Sequence, residues 1–265
     1  KTPKKAYERR ILQSIYQAIG RNGFIHYNET EKFTYPMYDY IHEAQNLIKH
    51  NQYKEPFWIS SIILEQLPEL PIDDSDGSTT CISDECTEVI RDILENCKDN
   101  DTINEIFKWI LTSIKNDSLG DYSYGVEQLL DEYYEDDNYI NDRLIMIEEK
   151  INSLEDNEDY YFRYETEQLI KTKIALLQQI GENDKALKVI KENINYVSIR
   201  KMLVGTERQN GNMDKVEKLL KDGLKKALKE KYYGLVLDFA DELLELYDNQ
   251  KDIEKYKELL TEILF

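Results

Sequence analysis

An all-α chain of stacked helical hairpins is the fold class this sequence predicts. Three observations carry it: apolar residues recur at helical spacing, short Gly or Asn turns separate the periodic stretches, and no stretch shows the period-two alternation of a strand. The spacing is cleanest at Ile103, Ile106, Phe107, Ile110, Leu111 and Ile114, which share one helix face. Asp101 or Thr102 is placed to cap that helix, and Gly120 lies just beyond its end. Val216, Leu219, Leu220, Leu224, Ala227 and Leu228 repeat the pattern, and Ile170, Ile174 and Leu177 mark another stripe. Breaks fall at 20–23, 51–52, 68–77, 97–101, 116–120, 135–138, 156–159, 181–183, 209–211 and 248–250. Between them about a dozen helices of ordinary length fit.

The turns repeat. The stretch from Gly181 to Ile194 aligns with that from Gly211 to Leu224 at a shift of 30 residues, and the Asn51-Gln52 and Asn249-Gln250 turns echo it more loosely. Gly or Asn accepts the left-handed conformation that ends one helix, and a turn this short makes the next helix antiparallel. A single hairpin cannot cover its apolar face, so successive hairpins must stack. The expected architecture is an irregular α-α superhelix, a tetratricopeptide-like solenoid without the strict repeat signature, built as one domain over 1–265. The chain opens on Lys1 and stops at Ile263-Leu264-Phe265 inside an apolar helical pattern, which reads as a fragment of a longer polypeptide.

Composition limits the function classes. The 265 residues are 41% hydrophobic with only 5 Pro and 10 Gly, enough apolar material for a core. The formal net charge of -19 repels phosphate and anionic lipid, which argues against direct nucleic-acid or membrane binding. Residues 73–160 hold 26 acidic and 6 basic groups, whereas each flank is near neutral, so the acidic part is central. No apolar run approaches the roughly 20 residues of a membrane span and no signal-peptide core is present, so the expected compartment is cytoplasmic. Cys81, Cys86 and Cys97 are odd in number and contain no Cys-x-x-Cys pair, which argues against a disulfide framework or a closed zinc site.

The candidate chemistry is sparse. Asp73, Asp74 and Asp76 beside Gly77 form a candidate structural or cation loop, but with Gly77 at the sixth position of a calcium loop, Ile72 and Ser83 occupy the first and last ligand positions. A turn that caps the next helix is the plainer reading. His42 and His50 stand two turns, about 12 Å, apart on one helix, too far to share an ion. No nucleophile elbow, phosphate loop or dinucleotide fingerprint occurs, and acidic pairs such as Glu148-Glu149 and Asp131-Glu132 read as solvated faces. The 20 tyrosines are the unusual feature, clustering at Tyr122, Tyr124, Tyr133, Tyr134, Tyr160, Tyr161 and Tyr164 around the acidic stretch. Tyr combines an apolar body with a hydroxyl, and flanking acid favours a basic partner, so these are the candidate partner-binding residues. Inter-helix packing competes as the explanation for each.

The order from Gly23-Phe24-Ile25-His26-Tyr27, through Tyr40-Ile41 and Ala44, to Asn51-Gln52-Tyr53-Lys54-Glu55-Pro56 and the Asp73 to Gly77 loop resembles the helical C-terminal region of bacterial SWIM zinc finger proteins. The stretch Ile199-Arg200-Lys201-Met202-Leu203, the Gly211 turn, Gly223 with Ala227, and Leu243-Leu244-Glu245-Leu246-Tyr247 add to that likeness. The family's finger carries a Cys-x-Cys pair with a later Cys-x-His, and neither half occurs here, so the resemblance assigns no metal, cofactor or catalytic residue to this chain. It implies an accessory region, with zinc in a finger outside the chain.

The expected function is therefore a noncatalytic helical-repeat scaffold that binds a protein or peptide. Two alternatives stand beside it. One is a module of a nucleic-acid-associated protein that orients a zinc finger outside this chain. The other is an enzyme pairing carboxylates with a divalent ion at Asp74 and Asp76.

Overall fold

The structure, a computed structural model, describes the backbone of residues 3–154 and 160–264, with the side chains of 160 and 262–264 left outside the description. Thirteen α-helices account for most of these residues. They are α1 (Pro3–Ile19), α2 (Glu31–Lys49), α3 (Lys54–Gln66), α4 (Ser78–Asn96), α5 (Asn100–Asn116), α6 (Ser123–Tyr133), α7 (Asp137–Leu154), α8 (Tyr160–Gln179), α9 (Asn183–Glu192), α10 (Val197–Gln209), α11 (Met213–Glu230), α12 (Tyr233–Gln250) and α13 (Ile253–Leu264). Short 3-10 turns follow α1 and precede α2 and α6. No strand forms among the described residues; a single parallel bridge joins Ile25 to Ile72. The all-α architecture of helices packed in sequence order is thus the one the periodicity predicts.

The chain divides into two compact units, Lys1–Met146 and Ile147–Phe265, with the boundary inside α7. In the first unit α2 packs on α3, and each of α1 and α4 packs on both of them; α6 packs on α4 and α5. Its core runs from Ile11 and Ile15 through Phe33, Met37, Phe57 and Ile63 to Ile90, Ile106, Val126 and Leu130. In the second unit each helix from α8 to α13 packs on the next in sequence. Its main core gathers Val204, Val216, Leu220, Leu224, Val236, Phe239, Leu243 and Tyr247. Burying each such side chain contributes roughly 1.5–3 kcal/mol.

The turns have one recurring form. At Gly181 (φ 77°) and Gly211 (φ 74°) the helix ends in the left-handed region, and two backbone bonds close it: Gly181 N–H donates to Gln178 O (3.0 Å) and Glu182 N–H to Leu177 O (2.8 Å). Gly211 and Asn212 repeat this pair on Arg208 O and Glu207 O at 3.1 and 2.9 Å. Asn51, Asp117, Lys231 and Lys251 build the same closure without glycine, with φ of 51–59°. The turns at Lys231 and at 193–196 are not among the predicted breaks. The break predicted at 156–159 lies outside the described residues.

The α5 stripe lies as predicted, with Ile106, Phe107 and Ile110 buried and Ile103, Leu111 and Ile114 packed against the core. Its ends do not. Asp99, ahead of the expected Asp101 or Thr102, caps α5 by accepting from Thr102 N–H at 3.3 Å, and the left-handed residue that closes its C-terminus is Asp117, three residues before Gly120. No helix among the described residues is long and apolar enough to cross a membrane.

Candidate functional site

The loop 68–77 is pinned near its middle before it delivers α4. Ile25 N–H donates to Pro71 O at 2.8 Å and Asp73 N–H to Ile25 O at 2.9 Å, so the loop is stitched to the chain ahead of α2. Gly77, at φ 71°, then turns the backbone into the helix. Asp74 accepts from Thr79 N–H at 2.9 Å and from the Thr79 and Ser78 hydroxyls, while Asp76 accepts from Ser78 N–H at 3.1 Å and the Thr30 hydroxyl at 3.3 Å. These carboxylates satisfy the amides that begin α4, where the helix dipole also favours negative charge. The Ser78 hydrogen bonds hold the Asp76 carboxyl below the usual range. Asp73 turns back on Ser75. Among the described residues no three His, Cys, Asp or Glu side chains converge to hold a metal.

A hydroxyl relay continues from this cap. Thr79 donates to Asp74 and stands 2.8 Å from the Tyr122 hydroxyl, so Tyr122 O–H donates to Thr79 and its ring is tied to the first turn of α4. Gly120 permits this by adopting φ 49° against Pro68. The result is a groove of about 670 Å³ between α4 and the start of α6. One wall is the polar stripe of α4, Thr80, Ser83, Asp84, Thr87, Glu88 and Arg91; the other carries Asp121, Tyr122, Tyr124 and Gln128. Gly125 brings α6 onto α4, since a Cβ there would already touch Thr87 Cγ2 at 3.5 Å.

The groove is electronegative in a specific way. Arg91, the only lining cation among the described residues, is engaged by Glu88 at 3.2 Å and by Glu132. Asp84 and Asp121 are exposed and have no ion-pair partner within 4.0 Å among the described residues. Tyr124 is 73% exposed beside them. This arrangement offers carboxylates and an aromatic face to a cation.

The sequence-predicted tyrosines divide. Tyr122 and Tyr124 line the groove. Tyr133 stands outside it, its hydroxyl donating to Glu95 at 3.0 Å. Tyr134 is a correction to the candidate binding set: it is fully buried, its ring 5.0 Å from that of Phe107, and its hydroxyl donates to Ile103 O at 2.9 Å. Burial pushes its ionisation far above the ordinary phenol range. Tyr161 and Tyr164 are exposed on α8 in the second unit, and the side chain of Tyr160 lies outside the described residues. Asp84, Glu88, Asp121 and Gln128 escaped the sequence reading. For Asp84 and Glu88 a signal was available, since Thr80, Ser83, Asp84, Thr87, Glu88 and Arg91 recur with the same helical spacing as the apolar stripes; for Asp121 and Gln128 there was none.

Fold and site together define an all-helical protein with an acidic, tyrosine-bearing groove. Comparison with protein-family models, with curated proteins and with solved structures returns no match.

Proposed function

We propose that this chain is a noncatalytic helical scaffold that binds a protein partner by a basic segment laid in the α4–α6 groove. The observation that carries the reading is the pair Asp84 and Asp121, exposed carboxylates left unneutralised beside Tyr124 while the groove's one arginine is already paired. A lysine or arginine side chain would gain two charge contacts and an aromatic face there. The resemblance to SWIM zinc finger proteins supports placing such a scaffold as an accessory region of a longer protein whose finger lies elsewhere.

The test is fluorescence anisotropy with a labelled Lys/Arg-rich peptide at low and moderate salt. Asp84→Asn with Asp121→Asn should weaken binding by about fivefold or more, whereas Asp137→Asn with Asp142→Asn, the same charge change on the exposed surface of α7, should leave it within about twofold. Equal weakening by both pairs would reduce the interaction to net charge and overturn the groove as the site.

A further inference from the structure

The second unit contains a pocket of opposite character. It has a volume of about 360 Å³, lies among α8, α10, α11 and α12, and is walled by Tyr196, Leu235 and Phe239. Three cations line it: Arg163, Arg200 and Lys226. Arg200 is the unusual one. It is only 6% exposed, its Nη1 donates to Leu219 O at 3.1 Å, and no carboxylate of the described residues stands within 4.0 Å. Asp222 acts on it from beyond that distance.

The two acids that line the pocket are engaged by other groups. Glu167 accepts from the Ser198 hydroxyl and amide, and Glu230 faces Lys226 at 4.0 Å. Lys226 also donates to Asn195 O at 3.2 Å, and the Arg163 guanidinium lies over the Tyr196 ring at 5.9 Å. A guanidinium keeps its charge at any working pH, and burying it without an anion is costly. Its planar fork matches a carboxylate in two parallel hydrogen bonds. The aromatic and leucine walls beside it suit an apolar side chain on the same ligand.

We infer that this pocket binds a carboxylate carried next to an apolar side chain, as at the C-terminal residue of a peptide, with Arg200 receiving the carboxylate and Phe239 and Leu235 the apolar group. The inference does not depend on the α4–α6 groove, and the two fail separately.

Heteronuclear NMR titration of the labelled chain tests it with four probes: acetyl-Gly-Gly-Phe and N-acetylphenylalanine, each as the free acid and as the C-terminal amide. The free acids should bind in the millimolar range and at least about fivefold tighter than their amides, shifting the Arg200 Nε–H resonance. Tighter binding of the tripeptide than of the single residue identifies a peptide end as the source; equal binding identifies a small carboxylic acid, the same chemistry. Arg200→Met should abolish the preference for acid over amide, and Arg163→Ala, at the exposed rim, should weaken acid binding about twofold if the pocket is intact. Asp84→Asn should change nothing here. Equal binding of acid and amide, no binding at about 20 mM, or an acid preference that survives Arg200→Met in a folded variant would overturn the assignment.

Discussion

Among the described residues each of the two units buries one arginine, and they treat it differently. In the first, Arg143 is 4% exposed, donates to Leu130 O at 3.3 Å and pairs with Asp131 at 2.5 Å. In the second, Arg200 makes the matching backbone bond to Leu219 O, and no carboxylate of the described residues stands within 4.0 Å. The first unit carries 28 acidic and 14 basic groups, the second 25 and 20, so the unit richer in acid neutralises its buried arginine and the more balanced one does not. The contrast separates structure from recognition. A paired buried cation is part of the core, whereas an unpaired one beside a cavity is available to a ligand.

The largest effect should come from the contact that shapes the Arg200 pocket. A Cβ on Gly223 would stand 2.7 Å from the Phe239 ring. Gly223→Ala should therefore destabilise by about 1–3 kcal/mol despite a helix-propensity gain near 1 kcal/mol, and Phe239→Ala by about 3–5 kcal/mol. Urea denaturation reads both. An Ala at 223 that stabilises the protein would show that the ring moves aside freely.

The arginine comparison is next in size. Arg143→Met should cost about 1–3 kcal/mol, through lost hydrogen bonds and a broken pair, while Arg200→Met should be neutral or stabilising, because a desolvated charge without a carboxylate is exchanged for an apolar side chain. Equal losses in thermal unfolding would erase the distinction between the units.

Acid should weaken the second unit through Glu217. Burial works against its charge, but hydrogen bonds from Lys221 and Lys255 prevail and lower its carboxyl to about 2 from an ordinary 4.5. A folded value below the unfolded one contributes stability above about pH 4.5 and loses it as pH falls toward 2, worth about 1 kcal/mol after solvent screening. Glu217→Gln should flatten that portion of the pH–stability curve; an unchanged curve would remove the triad from the account.

The smallest effects belong to the non-glycine turns. Lys231 and Lys251 hold φ of 59° and 58°, so replacing either with Gly should stabilise by up to about 1 kcal/mol. Gly181→Ala, at φ 77° with open space around its Cβ, should lose a similar amount from strain alone.

Much of this was legible in the chain. The α5 and α11 stripes and the glycine turns at 181 and 211 depend on spacing and on a left-handed residue, both local properties. The Lys231 closure was not, because a lysine carries no local preference for the left-handed region that would mark the turn. The site was half legible. The acidic, tyrosine-rich centre stood out, yet the tyrosines scattered into the groove, the Glu95 hydrogen bond and the core, since choosing among them requires knowing which helix lies opposite.

The amino-acid order by itself determined the helices, the glycine hairpin turns and the acidic excess, because periodicity and backbone freedom act within a few residues. Only the tertiary structure decided that Tyr134 is core while Tyr124 is surface, that Asp84 and Asp121 share a groove, and that Arg200 is buried without a carboxylate. Each of these depends on distance across helices that sequence spacing does not encode.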